Sequence, residues 1–390
     1  TIQNNEIYYC EEFGIQDVST SDDTQILNNK VEGTNGIGML VWGEDMVIAD
    51  NKILNIGLFK DLGLKGTAAP NGGSGMEISG DDNLIQYNEI ENTNYNGIFY
   101  RHNPIVQYNY IKNSCLVKDD GGGIYTGGEY SGSTVRHNII NSVPGNWTAT
   151  GYDRPRSFGH GIYIDIPQKN VKVYENTVID CGSGGIYLHD NVNTEVNNNT
   201  VFDARYGLIV NKDNGENTIR ENLIYVLDED DFEPNQILVS SNSQNTNFDS
   251  NIYISHYNNS NIFKIRSDYY NFNDWKKITG KDDKSIFKNS ALKEGETEKI
   301  FYNASKQTVT IELGNAVYND VLGNAVSGTI ILEPYESIIL VGEGLKNFNQ
   351  SPVIDEQTFN ITSPIPTNSL IGKINASDAD ENQQLLFFIA

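Results

Sequence analysis

The sequence predicts an all-β chain whose first three-quarters winds as a parallel β-helix, a solenoid of stacked coils. Two recurring phrases and their spacing carry that prediction. One reads Asn, any residue, then Ile or Val, with an offset copy at Asn251-Ile252-Tyr253. It appears at Asn5, Asn29, Asn51, Asn88, Asn109, Asn138, Asn176, Asn199 and Asn222. Its uninterrupted spacings are 24, 22, 21, 23 and 23 residues. A fixed period of this length marks one supersecondary unit per repeat, stacked on its neighbours. The units hold short strands and polar turns without a helical stripe, which excludes leucine-rich and helical solenoids. Asparagines at equivalent turns are expected to stack as a hydrogen-bonded ladder.

The second phrase is Gly123-Ile124-Tyr125-Thr126-Gly127, repeated as Gly161-Ile162-Tyr163-Ile164-Asp165 and Gly185-Ile186-Tyr187-Leu188-His189. Weaker copies begin at Gly75, Gly97 and Gly207. Each alternates with period two and reads as a short strand. Alternation sends Ile124, Ile162, Ile164, Ile186 and Leu188 into the core. It sends Glu77, Arg101, Tyr125, Tyr163, Tyr187, Asp165 and His189 outward. Ser79, Arg101, Gly127, Asp165, His189 and Asn211 occupy one equivalent slot, and this chemically variable slot is where function is expected.

Composition agrees with a solenoid. Hydrophobic residues make up 38% of the 390 residues and mean hydropathy is −0.45, while Gly and Tyr number 36 and 22. Such turns consume Gly and Asn. A net charge of −25 argues against nucleic acid or an anionic membrane as partner, and no run of residues is apolar enough for membrane insertion. That charge would also repel a polyanion unless its site were locally basic. The start at Thr1, directly inside a repeat, suggests a fragment or processed chain. Cys10, Cys115 and Cys181 follow repeat asparagines at similar offsets and read as a recurring small position, neither disulfide nor metal site.

As far as Asn222, three spacings exceed one coil: 37 residues from Asn51, 29 from Asn109 and 38 from Asn138. The surplus forms loops at Ile56 to Gly75, Val117 to Ser133 and Pro144 to His160. They fall on neighbouring coils, so they are expected to wall one region of surface, over the middle Gly-Ile-Tyr strands. After Asn222 the pattern loosens, and Tyr269 to Gly280 with Trp275 reads as the end that covers the last open edge. The organisation expected is 1–290 β-helix, 291–345 antiparallel β domain and 346–390 a further, truncated unit.

These phrases, with Asp119-Asp120-Gly121-Gly122-Gly123-Ile124-Tyr125, resemble the right-handed parallel β-helix repeat proteins of the pectate-lyase-like superfamily. They are similar to a branch found in secreted bacterial polysaccharide-processing proteins. The resemblance covers about residues 1 to 285. It implies a right-handed helix, a secreted or cell-surface monomer and a polysaccharide or oligosaccharide as partner. Residues 297–342 resemble the small β-sandwich that follows many secreted glycosidase domains. Residues from Pro352 onward resemble the first half of a cadherin-like repeat. In that family an Asp-x-Asp pair ligates calcium, which here maps to Asp378 and Asp380, although the chain ends before the other expected ligands. No cofactor is required otherwise.

Fold alone does not fix chemistry, so the residues decide among three readings. Glycoside hydrolysis needs two carboxylates, roughly 5 Å apart for retention or 6.5–9.5 Å for inversion. Asp165 is the best placed, with Asp120, Asp119 or Glu129 as partner. The resemblance favours the Asp119/Asp120 pair, and Asp120 is taken with Asp165. Tyr125, Tyr163 and Tyr187 form an expected aromatic ladder for sugar rings, or one that only stabilises the sheet. Arg101 and His189 would position hydroxyl or anionic groups, Glu77 faces the same side, and His160, Arg154 and Arg156 would rim the cleft. A lyase would instead use His189 as base, Tyr163 or Tyr125 as acid and Arg101 to neutralise a uronate. A non-enzymatic glycan-binding or adhesion protein is the third reading; clustered loops over a row with Asp, His and Arg speak against it. Hydrolysis leads.

Overall fold

In a computed structural model the described residues are 1–18, 21–59, 72–146, 157–212, 215–227, 235–239, 245–255, 262–289, 296–343, 353–354 and 376–377. The chain divides into two compact units. The first joins Thr1–Leu292 with Ile300–Ile311 and Ile331–Ile338; the second joins Lys293–Lys299, Glu312–Ile330 and Ile339–Ala390.

The first unit is the parallel β-helix. One face is a ten-stranded parallel sheet running from Ile2–Gln3 to Asn247–Asp249. The other two rows, one opening at Glu6–Tyr8 and one at Phe13–Asp17, merge into a single twenty-stranded sheet. They merge because Thr177–His189 and Thr200–Asn211 run through the corner without a break. Register is kept coil to coil: Ile124 pairs with Ile162, Ile162 with Ile186, and Ile186 with Leu208. Inward columns therefore stack like on like, and Ile26, Ile48, Ile85, Val106 and Val135 of the ten-stranded face are fully buried. Burying such a side chain contributes roughly 1.5–3 kcal/mol.

The asparagines of the first phrase form the expected ladder. Asn109 Nδ2 donates to Asn138 Oδ1 and Asn138 Nδ2 to Asn176 Oδ1, each at 3.0 Å. The same oxygens accept backbone N–H groups, as from Asn138 to Asn176 Oδ1 at 3.0 Å. Each second amide proton reaches a carbonyl of another coil, as from Asn138 to Val106 O at 2.9 Å. The ladder runs from Asn5 to Asn251 and ends on a cap. There the Asn251 N–H donates to Ser285 Oγ at 2.8 Å.

That cap contains the α-helix Phe272–Thr279, opened by Asn271 accepting from the Asp274 N–H and closed by Gly280 in the left-handed region. Its buried Trp275 stacks on Phe263, with ring centres 5.1 Å apart, and donates to Asp282 Oδ2 at 2.7 Å. Tyr253 and Ser285 donate to the other oxygen of Asp282, at 3.0 and 2.6 Å. The end of the solenoid is thus sealed by aromatics and one saturated carboxylate.

The two phrases explain each other. A Cβ built on Gly161 would lie 2.2 Å from Val178 Cγ1, and one on Gly123 would lie 2.4 Å from Ile140 Cγ2. The Ile or Val of each Asn phrase fills the space that a side chain on the Gly of the other phrase would need.

In the second unit Tyr318, Asn319 and Asp320 pair antiparallel with Gly342, Val341 and Leu340. Asp320 Oδ1 accepts from the N–H groups of Leu322 and Asn324 at 2.9 and 2.8 Å, closing the turn that leads into Ala325. Asp378 and Asp380 lie outside the described residues, as do Arg154, Arg156, 60–71 and 147–156. Cys115 and Cys181 are buried, Cys10 is partly exposed, and all three are free thiols. Among the described residues no helix is long and apolar enough to cross a membrane.

Candidate functional site

Register alone builds the site. Parallel pairing places Glu77, Phe99, Tyr125, Tyr163, Tyr187, Ile209 and Leu238 in one outward column along the Gly-Ile-Tyr row. Two residues further on, the variable slot brings Asp165, His189 and Asn211 onto consecutive coils.

Asp165 and His189 are in direct contact, Oδ1 to Nδ1 at 2.7 Å. With the carboxylate as acceptor the donor in this bond is the Nδ1–H, and Nε2 is the ring nitrogen on the side away from Asp165. The same Oδ1 accepts the Ile166 N–H at 3.0 Å, and Oδ2 accepts the Tyr125 hydroxyl at 2.9 Å. Asp165 is 8% exposed. Asn211 Nδ2 donates to the Tyr187 hydroxyl at 3.1 Å, and the Tyr187 ring stacks on His189 with centres 5.6 Å apart. Burial, with Asn211 lowering and Asp165 raising in smaller measure, pushes the Tyr187 hydroxyl above its ordinary value of 10.0, so it holds its proton.

The tyrosines face outward but are not open. Tyr163 and Tyr187 are 5% and 9% exposed; they stack at 4.6 Å and pack with Tyr206 and Ile209. The expected exposed ladder is corrected to a second, outer apolar layer with only part of its surface free. Alternation fixes which face a side chain takes, while neighbouring columns and loops decide what reaches water.

His160 is corrected more strongly. Placed by sequence on the rim, it is fully buried. It lies in register with Gly122 on one side, and the Gly184 N–H donates to its Nδ1 at 3.0 Å on the other. Its ring packs on Tyr163 and Tyr187, both at 4.8 Å. Gly184 thus makes room for the imidazole, since a Cβ there would lie 3.0 Å from His160 Nδ1; the ring is wedged under the tyrosine pair, and burial lowers its pKa to about 3. Glu77, expected to face outward, is also buried, 4% exposed.

Asp120 adopts a left-handed backbone, φ 58°, and its carbonyl accepts the Tyr95 hydroxyl at 2.7 Å. Its charge acts on Tyr125, Tyr163 and Tyr187, as does that of Asp165. Asp119 is buried and accepts the Phe158 N–H, which makes it a loop anchor. Arg101 lies over Phe99, 4.3 Å from the ring centre, on the third coil before that of His189. Glu129 is exposed on the turn after Gly121–Thr126.

Beyond Tyr187 opens a cleft of about 610 Å3. Tyr206, Ile209 and Leu238 line it together with Arg205 and Arg266, and Asn211 joins it to the dyad. Sequence reasoning missed both arginines. Arg205 sits in the corner of the continuous strand Thr200–Asn211, and Arg266 in a hairpin turn where the periodicity has faded.

The family model for the right-handed β-helix region matches residues 1–140 and 67–224, more than half of the chain. The chain belongs to that family. Among solved structures, it is similar to a tailspike protein double mutant of E. coli bacteriophage HK620 in complex with a pentasaccharide. Identity is 8% and TM-score 0.44, over 85% of this chain and 68% of that one. It is also similar to the Dettilon tailspike protein, with 13% identity and TM-score 0.39 over 97% and 83% of the two chains. For a mutant of the periplasmic alginate epimerase AlgG, identity is 12% and TM-score 0.38 over 74% of each. Comparison with curated protein sequences gave no match.

Proposed function

We propose that the chain is a carbohydrate-active enzyme that cleaves a polysaccharide by general acid–base catalysis, with His189 as base and Tyr187 as acid. The observation that carries this reading is the 2.7 Å contact between His189 Nδ1 and Asp165 Oδ1. Asp165 already accepts from His189, Ile166 and Tyr125. A carboxylate so engaged suits orienting an imidazole better than protonating a leaving group. This reverses the order expected from sequence, which put paired carboxylates first.

The step that fits this pair is β-elimination. His189 Nε2 takes the proton from the ring carbon next to a sugar carboxyl, a carbon–carbon double bond forms, and the glycosidic C–O bond breaks. The leaving oxygen receives the Tyr187 proton. A second reading, hydrolysis by Asp165 with Asp120, is favoured by the reach of both charges onto the same three tyrosines.

The test is incubation with a panel of neutral, uronic and sulfated polysaccharides, following reducing ends and the absorbance of unsaturated uronate together. Elimination yields both signals. Reducing ends without absorbance move the assignment to hydrolysis, and no product from any glycan sinks the enzymatic reading.

A further inference from the structure

A second pocket, of about 450 Å3, lies at another corner of the first unit. In each coil the Gly-Ile-Tyr row leads into the ten-stranded face and then into the Asn phrase, as in Ile98–Tyr100, Ile105–Gln107 and Tyr110–Lys112. Asp165 and His189 stand before the ten-stranded face, whereas this pocket stands after it, on earlier coils. Its floor includes Glu89 and Tyr110, paired in register on consecutive coils. Its wall is the turn that follows Tyr302, which belongs to the same compact unit. Buried Asn303 holds that turn: its Nδ2 donates to Gln307 O at 2.7 Å and to Leu332 O at 3.0 Å, and its carbonyl accepts the Tyr335 N–H at 2.8 Å. The wall is also tied to the solenoid. Asn141 Nδ2 donates to the Tyr302 hydroxyl at 3.0 Å, and the Tyr335 ring stands edge-on to Tyr108 with centres 5.4 Å apart. The pocket is therefore preformed, with a volume in the range of about 300–1,000 Å3 that small-molecule sites occupy.

Tyr87, Tyr110, Tyr302 and Tyr335 give the pocket aromatic walls, while Glu89 supplies acceptors and Lys306 donors. Both charges are already matched. Lys52 meets Glu89 at 2.5 Å, and Lys306 pairs with Asp50 while lying over Tyr87, 4.2 Å from the ring centre. Matched charges give no advantage to an ion of either sign. A neutral hydroxylated ring suits such a pocket, because its C–H face packs on tyrosine and its hydroxyls donate to Glu89 and accept from Lys306. We propose that this pocket is a second saccharide-binding site, for one neutral sugar unit, separate from the Asp165–His189 group. It goes beyond the proposed function and shares with it only the class of ligand. A polysaccharide held at this corner is retained on the solenoid without occupying the acid–base pair.

Saturation-transfer NMR titration of the full chain tests the site, with the methyl glycosides of glucose, galactose, mannose, N-acetylglucosamine and glucuronic acid as probes. At least one neutral glycoside is expected to bind with a Kd of about millimolar order, and the glucuronide to gain nothing over the glucoside. Lys306→Gln and Tyr302→Ala are each expected to weaken that binding at least about fivefold, whereas Asp165→Asn leaves it unchanged. Lys306 is exposed, so its variant keeps the test even where Tyr302→Ala disturbs packing. Absence of binding by every neutral glycoside overturns the site, as does binding that Lys306→Gln leaves unchanged. A tenfold preference for the glucuronide overturns the neutral class. Lys306-dependent binding in a chain that turns over no glycan sinks the proposed function and leaves this site standing. Turnover of a polysaccharide without Lys306-dependent binding does the reverse.

Discussion

His189 and Asp165 are joined by a 2.7 Å hydrogen bond although 24 residues separate them. Tyr125, 40 residues before Asp165, closes the other side of the same carboxylate at 2.9 Å. Three consecutive coils supply one residue each.

Asp165→Asn keeps the shape of that group and replaces an acceptor with an amide, so His189 loses its fixed tautomer. Under the proposed function kcat falls within the range of about 10²–10⁴-fold that a positioned proton-transfer group contributes, while KM changes little. Tyr125→Phe removes one donor from Asp165 and costs roughly tenfold. Steady-state kinetics on the active polysaccharide decides; unchanged turnover in Asp165→Asn removes the residue from the mechanism.

His160 gives a pH signature of folding. Burial lowers its pKa from 6.5 to about 3. Between those values the unfolded chain binds a proton that the folded chain does not, so stability falls as pH drops through the window. The loss from this one group reaches about 3 kcal/mol by pH 4. Urea unfolding at pH 7 and pH 4 should show a smaller difference in His160→Gln than in the unsubstituted chain. Equal differences would mean that His160 takes up its proton in the folded state.

Asn138→Ala cuts the ladder in its middle. It removes the donors to Val106 O and Asn176 Oδ1 and the acceptor of the Asn109 N–H. Each orphaned buried group costs about 1–3 kcal/mol, so the expected loss is several kcal/mol, read as a lower urea midpoint. A shift of under about 0.5 kcal/mol, as for an ordinary surface substitution, would contradict the ladder's structural role.

Gly161→Ala tests the fit between the two phrases. Its Cβ would meet Val178 Cγ1 at 2.2 Å and the Gly185 carbonyl oxygen at 2.6 Å. Overpacking of this kind costs about 1–3 kcal/mol. The double change Gly161→Ala with Val178→Ala should recover part of it, whereas a purely additive loss in a double-mutant cycle would deny the contact.

The winding was legible because it rests on local rules repeated many times. Asn at one position of every coil announces a ladder, and period-two alternation announces a strand and its inward face. Ile124, Ile162 and Ile186 are accordingly core residues, and Asp165 and His189 accordingly meet. What alternation cannot express is how much of an outward face stays wet. Tyr163, Tyr187 and Glu77 took the outward side and were buried there by packing between columns. His160 precedes its strand phrase by one residue and resembles a loop-end histidine in sequence. Only the contact with Gly184 on the next coil reveals the space cut for it. The arginine cleft was invisible for a related reason: Arg205 and Arg266 are 61 positions apart and outside both phrases.

The unbroken corner in Thr177–His189 and Thr200–Asn211 has a consequence for how a substrate would be measured out. Coils rise by about 4.8 Å, close to the length of one pyranose residue in an extended chain. Under the proposed function, a glycan lying along the axis keeps step with the protein, one sugar for each turn of the winding. The solenoid then acts as a ruler. Inserting or deleting a whole coil beside His189 would change which sugar along the glycan is cut, without altering the chemistry at His189 itself.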